Sequence, residues 1–261
     1  TQLAIGVGHT NWIFGTCDFM VGIGLTNPTS RLTVAGDACV SGVITASNFA
    51  KADGSSLGGF EPDADENLVA GTSAGEDLDG TNGCCNVLIG YHAGKEMTSG
   101  SDNIALGQCA MGAGTVTGTH NIALGQCTLL GSSTVNDNTG GCNIAIGSCA
   151  GKVITSGNQN IMIGCGSAIA LLSSERNVYI GGASASASTV GNDNVAIGFG
   201  AGTSIAGNYN VMFGRYAGCL ATGAHNVIMG PNAAKCQTTG ACNIFIGNEA
   251  GSNAASSGGT G

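Results

Sequence analysis

The sequence predicts an all-β fold: a parallel β-roll or β-helix of about eleven stacked coils of roughly 17 residues, intertwined or packed as a homotrimeric fibre. Three observations lead there. The first is a phrase, Asn-aliphatic-x-aliphatic-Gly, at Asn67, Asn86, Asn103, Asn121, Asn143, Asn160, Asn177, Asn194, Asn210, Asn226 and Asn243. Its intervals are 19, 17, 18, 22, 17, 17, 17, 16, 16 and 17 residues. A period kept over so many units means that each unit packs mainly on its two neighbours. The second is composition: 47 of 261 residues are Gly, 9% are charged and 5% are aromatic, against about 7% Gly and about 25% charged in average globular chains. So few large side chains suit a thin, regular core better than a multilayer one. The third is the period of two inside the phrase, the mark of a strand.

Within the phrase the second residue is always Leu, Val or Ile and the fourth is almost always large and apolar, while the third ranges from Ala105 to Tyr179 to Phe245. The uniform positions, such as Ile144 and Ile146, are therefore expected to fill the core, with the third position on a more permissive face. After the Gly come two variable residues and often Ala-Gly, as at Ala150-Gly151 and Ala217-Gly218, then a lone apolar residue such as Ile154 and a Gly-containing turn. Each unit thus reads as strand, turn, second short strand, turn.

The recurring Asn suits a left-handed corner, and identical amides on successive coils can form a hydrogen-bonded ladder; a plain turn preference for Asn accounts for the same column. The Gly at the end of the phrase, at Gly90, Gly107, Gly125, Gly147, Gly164, Gly181, Gly198, Gly214, Gly230 and Gly247, is expected to supply positive φ or close backbone approach. The apolar third-position stripe is expected to be covered by the same stripe of a partner in a rotationally symmetric trimer.

Three regions follow: a collar or connector with short strands over 1–60, the coil array over 61–251, and a Gly/Ser-rich tail or linker over 252–261. In the first, Asn27-Pro28-Thr29 marks a turn, RLTV a strand and ACVSGVITA a half-buried strand. The pattern carried by Val21 to Phe49, with VGIGLTNPTSRLTVAGD and GVITASNF, resembles a stretch of bacteriophage tail fibre and tail spike proteins, those of marine and cyanobacterial phages in particular. The N-[IV]-x-[IL]-G-x-x-A-G units resemble the stacked repeats of such fibres, and more distantly the heads of trimeric autotransporter adhesins. The resemblance implies a structural fibre protein of a virion, a tail fibre or spike shaft assembled in the host cytoplasm. Its partners would be its own copies, other tail or baseplate proteins and a host surface receptor, a glycan among the candidates. The alternative it leaves open is a bacterial cell-surface adhesin or extracellular filament subunit.

No enzyme is expected, and no catalytic, cofactor or metal residue stands out. Left-handed β-helix acyltransferases carry three aliphatic hexapeptides per coil, whereas this phrase occurs once. A net charge of −9 with seven Lys and Arg argues against nucleic acid, and no apolar run is long enough to insert in a membrane. The twelve cysteines leave packing thiols, disulfides and metal sites open: Cys109, Cys127 and Cys149 lie six residues after their Asn, Cys85, Cys142 and Cys242 immediately before theirs, and coils about 4.8 Å apart would allow a bridge such as Cys109 with Cys127. The resemblance, with folding in a reducing cytoplasm, implies packing thiols. The histidines, His9, His92, His120 and His225, share no motif. The acids around Glu61, Asp63, Asp65 and Glu66 read as a solvated cap at the start of the array in preference to a calcium site. Exposed Tyr91, His92, Arg215, Tyr216 and Lys235 show no sugar-binding pattern in the linear sequence.

Overall fold

A computed structural model describes residues 3–7, 10–15, 21–23, 32–34, 62–78, 83–132, 138–236 and 239–252. The chain divides into two compact units, Thr1–Leu57 and Gly58–Gly261. In the first, β1 (Leu3–Val7), β2 (Thr10–Gly15), β3 (Val21–Ile23) and β4 (Leu32–Val34) form one sheet in that order. β1–β2 and β2–β3 are antiparallel and β3–β4 parallel, so VGI and LTV of the collar pattern lie side by side. The Asn27-Pro28-Thr29 turn, the ACVSGVITA strand and the 252–261 tail beyond its first residue lie outside the described residues.

The second unit is a β-solenoid. Its strands are β5 (Leu68–Ala70), β6 (Val87–Ile89), β7 (Ile104–Leu106), β8 (Ile122–Leu124), β9 (Ile144–Ile146), β10 (Ile161–Ile163), β11 (Val178–Ile180), β12 (Val195–Ile197), β13 (Val211–Phe213), β14 (Val227–Met229) and β15 (Ile244–Ile246). They form one eleven-stranded parallel sheet in sequence order. Phrase lies on phrase without a register shift, Ile144 beside Ile161 and Ile161 beside Val178. At about 4.8 Å per step, such a stack is about 48 Å long.

Each coil has one strand, not the expected two. Where a second strand was expected, only the isolated bridges Met97–Val116 and Val116–Asn138 remain among the described residues. The reason is backbone conformation. In every coil the residues six and eight after the Asn have positive φ, as at Cys149 (φ 59°) and Gly151 (φ 58°) or Ala183 (φ 53°) and Ala185 (φ 50°). Alternating left-handed residues send successive peptide groups to the coils on either side: Cys109 N donates to Tyr91 O behind it, and Met111 N to Thr128 O ahead of it. The coil is therefore hydrogen-bonded across this arc without becoming extended strand. Left-handed backbone costs a non-glycine residue about 1–2 kcal/mol, which the cross-coil bonds offset.

The expected inward face is inverted. Between the two end coils, whose Val69 and Phe245 are exposed and half-buried, the third position of the phrase is buried: Leu88, Ala105, Ala123, Ala145, Met162, Tyr179, Ala196 and Met212 are 0% exposed. The second and fourth positions, including Ile144 and Ile146, point outward and are half-buried or exposed. A coil this narrow admits one side chain from its strand. It meets the small residue seven after the Asn (Ala93, Ala150, Ser184, Ala201, Ala217) and the residue eleven after it (Met97, Ile154, Leu171, Ser188, Ile205, Ala221), all buried. Size is traded between these sites. Tyr179 shares its coil with Ser184 and Ser188, while the next coil pairs Ala196 with Ile205. Volume trading keeps the core close-packed while any one position varies.

Candidate functional site

Four columns of side chains run along the solenoid, and the Asn column is the innermost. Asn86 donates from both its backbone N and its Nδ2 to Oδ1 of Asn67, each at 2.9 Å, and its Nδ2 also reaches Gly100 O at 2.9 Å. The same three bonds recur at Asn103, Asn121, Asn143, Asn160, Asn177 and Asn226. Asn194 keeps the backbone rung to Asn177 and the bond to Gly207 O, and Asn210 and Asn243 each donate twice to the amide before them. The amide thus ties each coil to the preceding one and also spans its own coil. The left-handed corner residue is not the Asn but the one before it, from Glu66 (φ 61°) to Cys242 (φ 60°).

At the start of the ladder Asp63 stands where a preceding Asn would. Its Oδ1 accepts from Asn67 N at 2.8 Å and from Asp65 N at 2.9 Å, and its Oδ2 accepts from Asn67 Nδ2 at 3.2 Å. An acceptor-only carboxylate fits here because, among the described residues, no earlier coil stands before it to need a donor. Among the described residues no group of acids, His and Cys is placed to hold a metal ion.

The phrase glycines form the second column. They lie at φ between +120° and +139°, from Gly147 to Gly198. All but Gly247, the last, also lie against the peptide of the next coil; a Cβ on Gly90 would meet Gly107 O at 2.7 Å. Conformation and close approach both exclude a side chain.

The third column is the outward sheet face. Its second and fourth positions are Leu, Val or Ile in nineteen of twenty-two cases, the others being Ala70, Phe213 and Met229. None is polar or charged. Ile104, Leu106 and Ile146 are 39%, 46% and 36% exposed.

The fourth comprises the two left-handed corners that flank the sheet, and six of the ten described cysteines sit there, not in the core. Cys85, Cys142 and Cys242 are exposed, Cys109, Cys127 and Cys149 are half-buried, and all ten described cysteines are free thiols. Burial, with Cys109 and Cys149 on either side, pushes the Cys127 thiol up. The hydrogen-bonded neighbour Cys84 pushes that of Cys85 up to about 11. Thiols held protonated are poor nucleophiles and metal ligands. The corner before the Asn also carries cross-coil pairs. Arg176 grips Asp193 at 2.7 and 3.1 Å, holding its carboxyl below the usual range, and Tyr209 stacks on His225 at 5.0 Å.

Near the C-terminal end, the opposite corner gathers residues that the linear sequence scatters. Phe199, 52% exposed, meets Tyr216 edge to face at 5.5 Å. The Arg215 guanidinium lies 4.8 Å and the Lys235 ammonium 5.2 Å from the Tyr216 ring centre. Beside them is a notch of about 310 Å³ lined by Asn232, Lys235, Cys236, Glu249 and Ser252. Arg215, Tyr216 and Lys235 are thus brought together, whereas Tyr91 and His92 stack on each other at 3.7 Å several coils away. Phe199, Asn232 and Glu249 were not singled out from sequence. The signal was their spacing: each lies five or six residues after its Asn, so folding the chain on its own period puts them at one corner.

The second unit is therefore, by its geometry, a β-solenoid of stacked single-strand coils. Comparison with family models, with curated proteins and with solved structures gave no match.

Proposed function

We propose that the chain is the shaft of a phage tail fibre or tail spike, a structural protein in which three copies pack their sheet faces together and hold a receptor-binding surface away from the virion. The observation that carries the reading is the outward sheet face: twenty-two apolar positions without a charge, along a stack of about 48 Å at the usual strand spacing. An apolar strip that long and continuous marks an association surface on a soluble protein. Because each coil presents the same strip, parallel copies related by a rotation axis meet like on like, which closes the assembly. The phage source and the attachment role rest on the collar pattern and the repeat form. Other tail or baseplate proteins and a host receptor are the partners this role requires.

The test is oligomeric state. Light scattering on the purified chain should give three times the 25.4 kDa protomer mass. The double variant Leu124→Lys/Ile146→Lys should give a monomer whose far-ultraviolet β signal is retained. A monomeric parent chain would overturn the trimeric shaft.

A further inference from the structure

The corner between Phe199 and Glu249 differs in chemistry from the rest of the solenoid surface. We propose that it binds an acidic saccharide, a sugar unit bearing a carboxylate. Phe199 and Tyr216 would serve as the stacking platform, Arg215 and Lys235 as the carboxylate's partners, and Asn232 and Glu249 as partners for hydroxyls. The proposal deepens the attachment reading above, on which its biological sense rests, by assigning a place and a ligand class to the receptor contact.

The rings are built into position. The Tyr216 ring lies over Gly200 of the preceding coil, where a Cβ would meet its Cδ1 and Cε1 at 2.5 Å. The Phe199 ring lies over Gly182 in the same way, with a Cβ there meeting Cδ2 at 3.2 Å. Glycines beneath and rings above set two aromatic surfaces at 83° to one another. Rings already fixed lose little freedom on binding, and their apolar faces suit the C–H face of a pyranose.

The charge is equally local. Two of the seven Lys and Arg of a chain with net charge −9 stand beside this one ring. Among the described residues neither Arg215 nor Lys235 forms an ion pair, whereas Arg176 is committed to Glu175 and Asp193. A cation held beside a ring keeps its charge at the surface, and the guanidinium fork matches a carboxylate in a bidentate pair. The adjoining notch of about 310 Å³ is at the small end of ligand sites, about 300–1,000 Å³. Its Asn232 amide and Glu249 carboxylate supply the donor and acceptors that sugar hydroxyls take. A nucleic acid strand would also stack and pair, but it needs a run of cations along its backbone, and the corner has two.

The test titrates the full chain with oligogalacturonate, with an oligosialic acid, with methyl-esterified oligogalacturonate and with an oligodeoxynucleotide of equal charge, by calorimetry. At least one of the two acidic oligosaccharides should bind. Its affinity should fall at least tenfold on esterification, and tenfold or more in Arg215→Gln and in Tyr216→Ala. Thermal melting should show both variants folded, and a third variant, Phe199→Leu, removes one ring while keeping an apolar side chain. Failure of both acidic probes, equal binding of the ester, equal binding of the oligodeoxynucleotide, or unchanged affinity in the variants would overturn the proposal. Light scattering on the same samples separates the two readings: a trimer that binds neither probe overturns this site alone, and a monomer that binds overturns the shaft alone.

Discussion

The coils around β7 to β9 and those around β10 to β14 solve one packing problem in two ways. In the first group the strand contributes only alanine to the interior, at Ala105, Ala123 and Ala145, and the intervals are 18, 22 and 17 residues. Met111, Val116, Leu129 and Ile154 fill these coils from the far side, leaving a residual cavity of about 20 Å³ beside Asn121 and Asn143. In the second group the strand supplies Met162, Tyr179, Met212 and Ile228, with Ala196 of β12 as the exception that Ile205 compensates across its coil, and the intervals hold at 16 or 17. What is fixed is the filled volume of a coil together with its Asn and Gly columns. Where that volume comes from is free.

The comparison can be broken first at what both groups share. Gly164→Ala combines an unfavourable backbone at φ +131° with a Cβ 2.5 Å from the Gly181 carbonyl, and should destabilise by about 3–5 kcal/mol in chemical denaturation. Gly247→Ala, with nothing within 4 Å of the added carbon, should cost about 1–2 kcal/mol. Equal losses would show that the approach of neighbouring backbones contributes nothing. Next in size, Asn160→Ala strands the Asn177 N–H groups and the Ser174 carbonyl and should cost about 2–4 kcal/mol, whichever group the coil belongs to.

The volume trade itself is tested by Leu129→Ala in the alanine group, which should cost about 2–4 kcal/mol. Ala145→Leu in the same background should recover part of that loss, read as a non-additive double-mutant cycle. Additive losses would mean that the two sites do not share one interior. A smaller effect is expected at Tyr179, whose pKa burial raises and whose buried hydroxyl faces Asn194 without a hydrogen bond of good geometry. Tyr179→Phe should be neutral or stabilising by up to about 1 kcal/mol. The smallest lies at the surface. The Asp193 carboxyl is held low by Arg176, so its stabilisation is present above the ordinary carboxylate range and lost as pH falls below it. The melting temperature of Asp193→Asn should therefore trail the parent near neutral pH, and the two should converge in acid.

The sequence shows the period, the single parallel stack and the Asn and Gly columns because the geometry admits one residue type at each. It misleads about which face is inside. A strand of period two has two faces, and the more uniform one, with Ile144 and Ile146, reads as the core. That face is uniform because it is a flat exterior strip, while Met162 and Tyr179 vary because their volume is compensated elsewhere in the coil. The cysteines misled for a related reason: their repeated positions are left-handed corners, and nothing in the residue type declares that. Arg215 and Lys235 are twenty residues apart, in different positions of successive coils, so their meeting at Tyr216 needs the fold.

The carboxylate of Asp63 gives the ladder a direction in time as well as in space. Each Asn brings its donors to an acceptor already set by the segment made before it, and Asp63 provides the first acceptor. A ribosome delivers the chain in this same order. Each new coil closes on a partner about 17 residues upstream, so ordering can follow synthesis, advancing one coil at a time from a preformed edge. Removing Asp63 would therefore do more than delete three hydrogen bonds: it would take away the template on which the first coil closes.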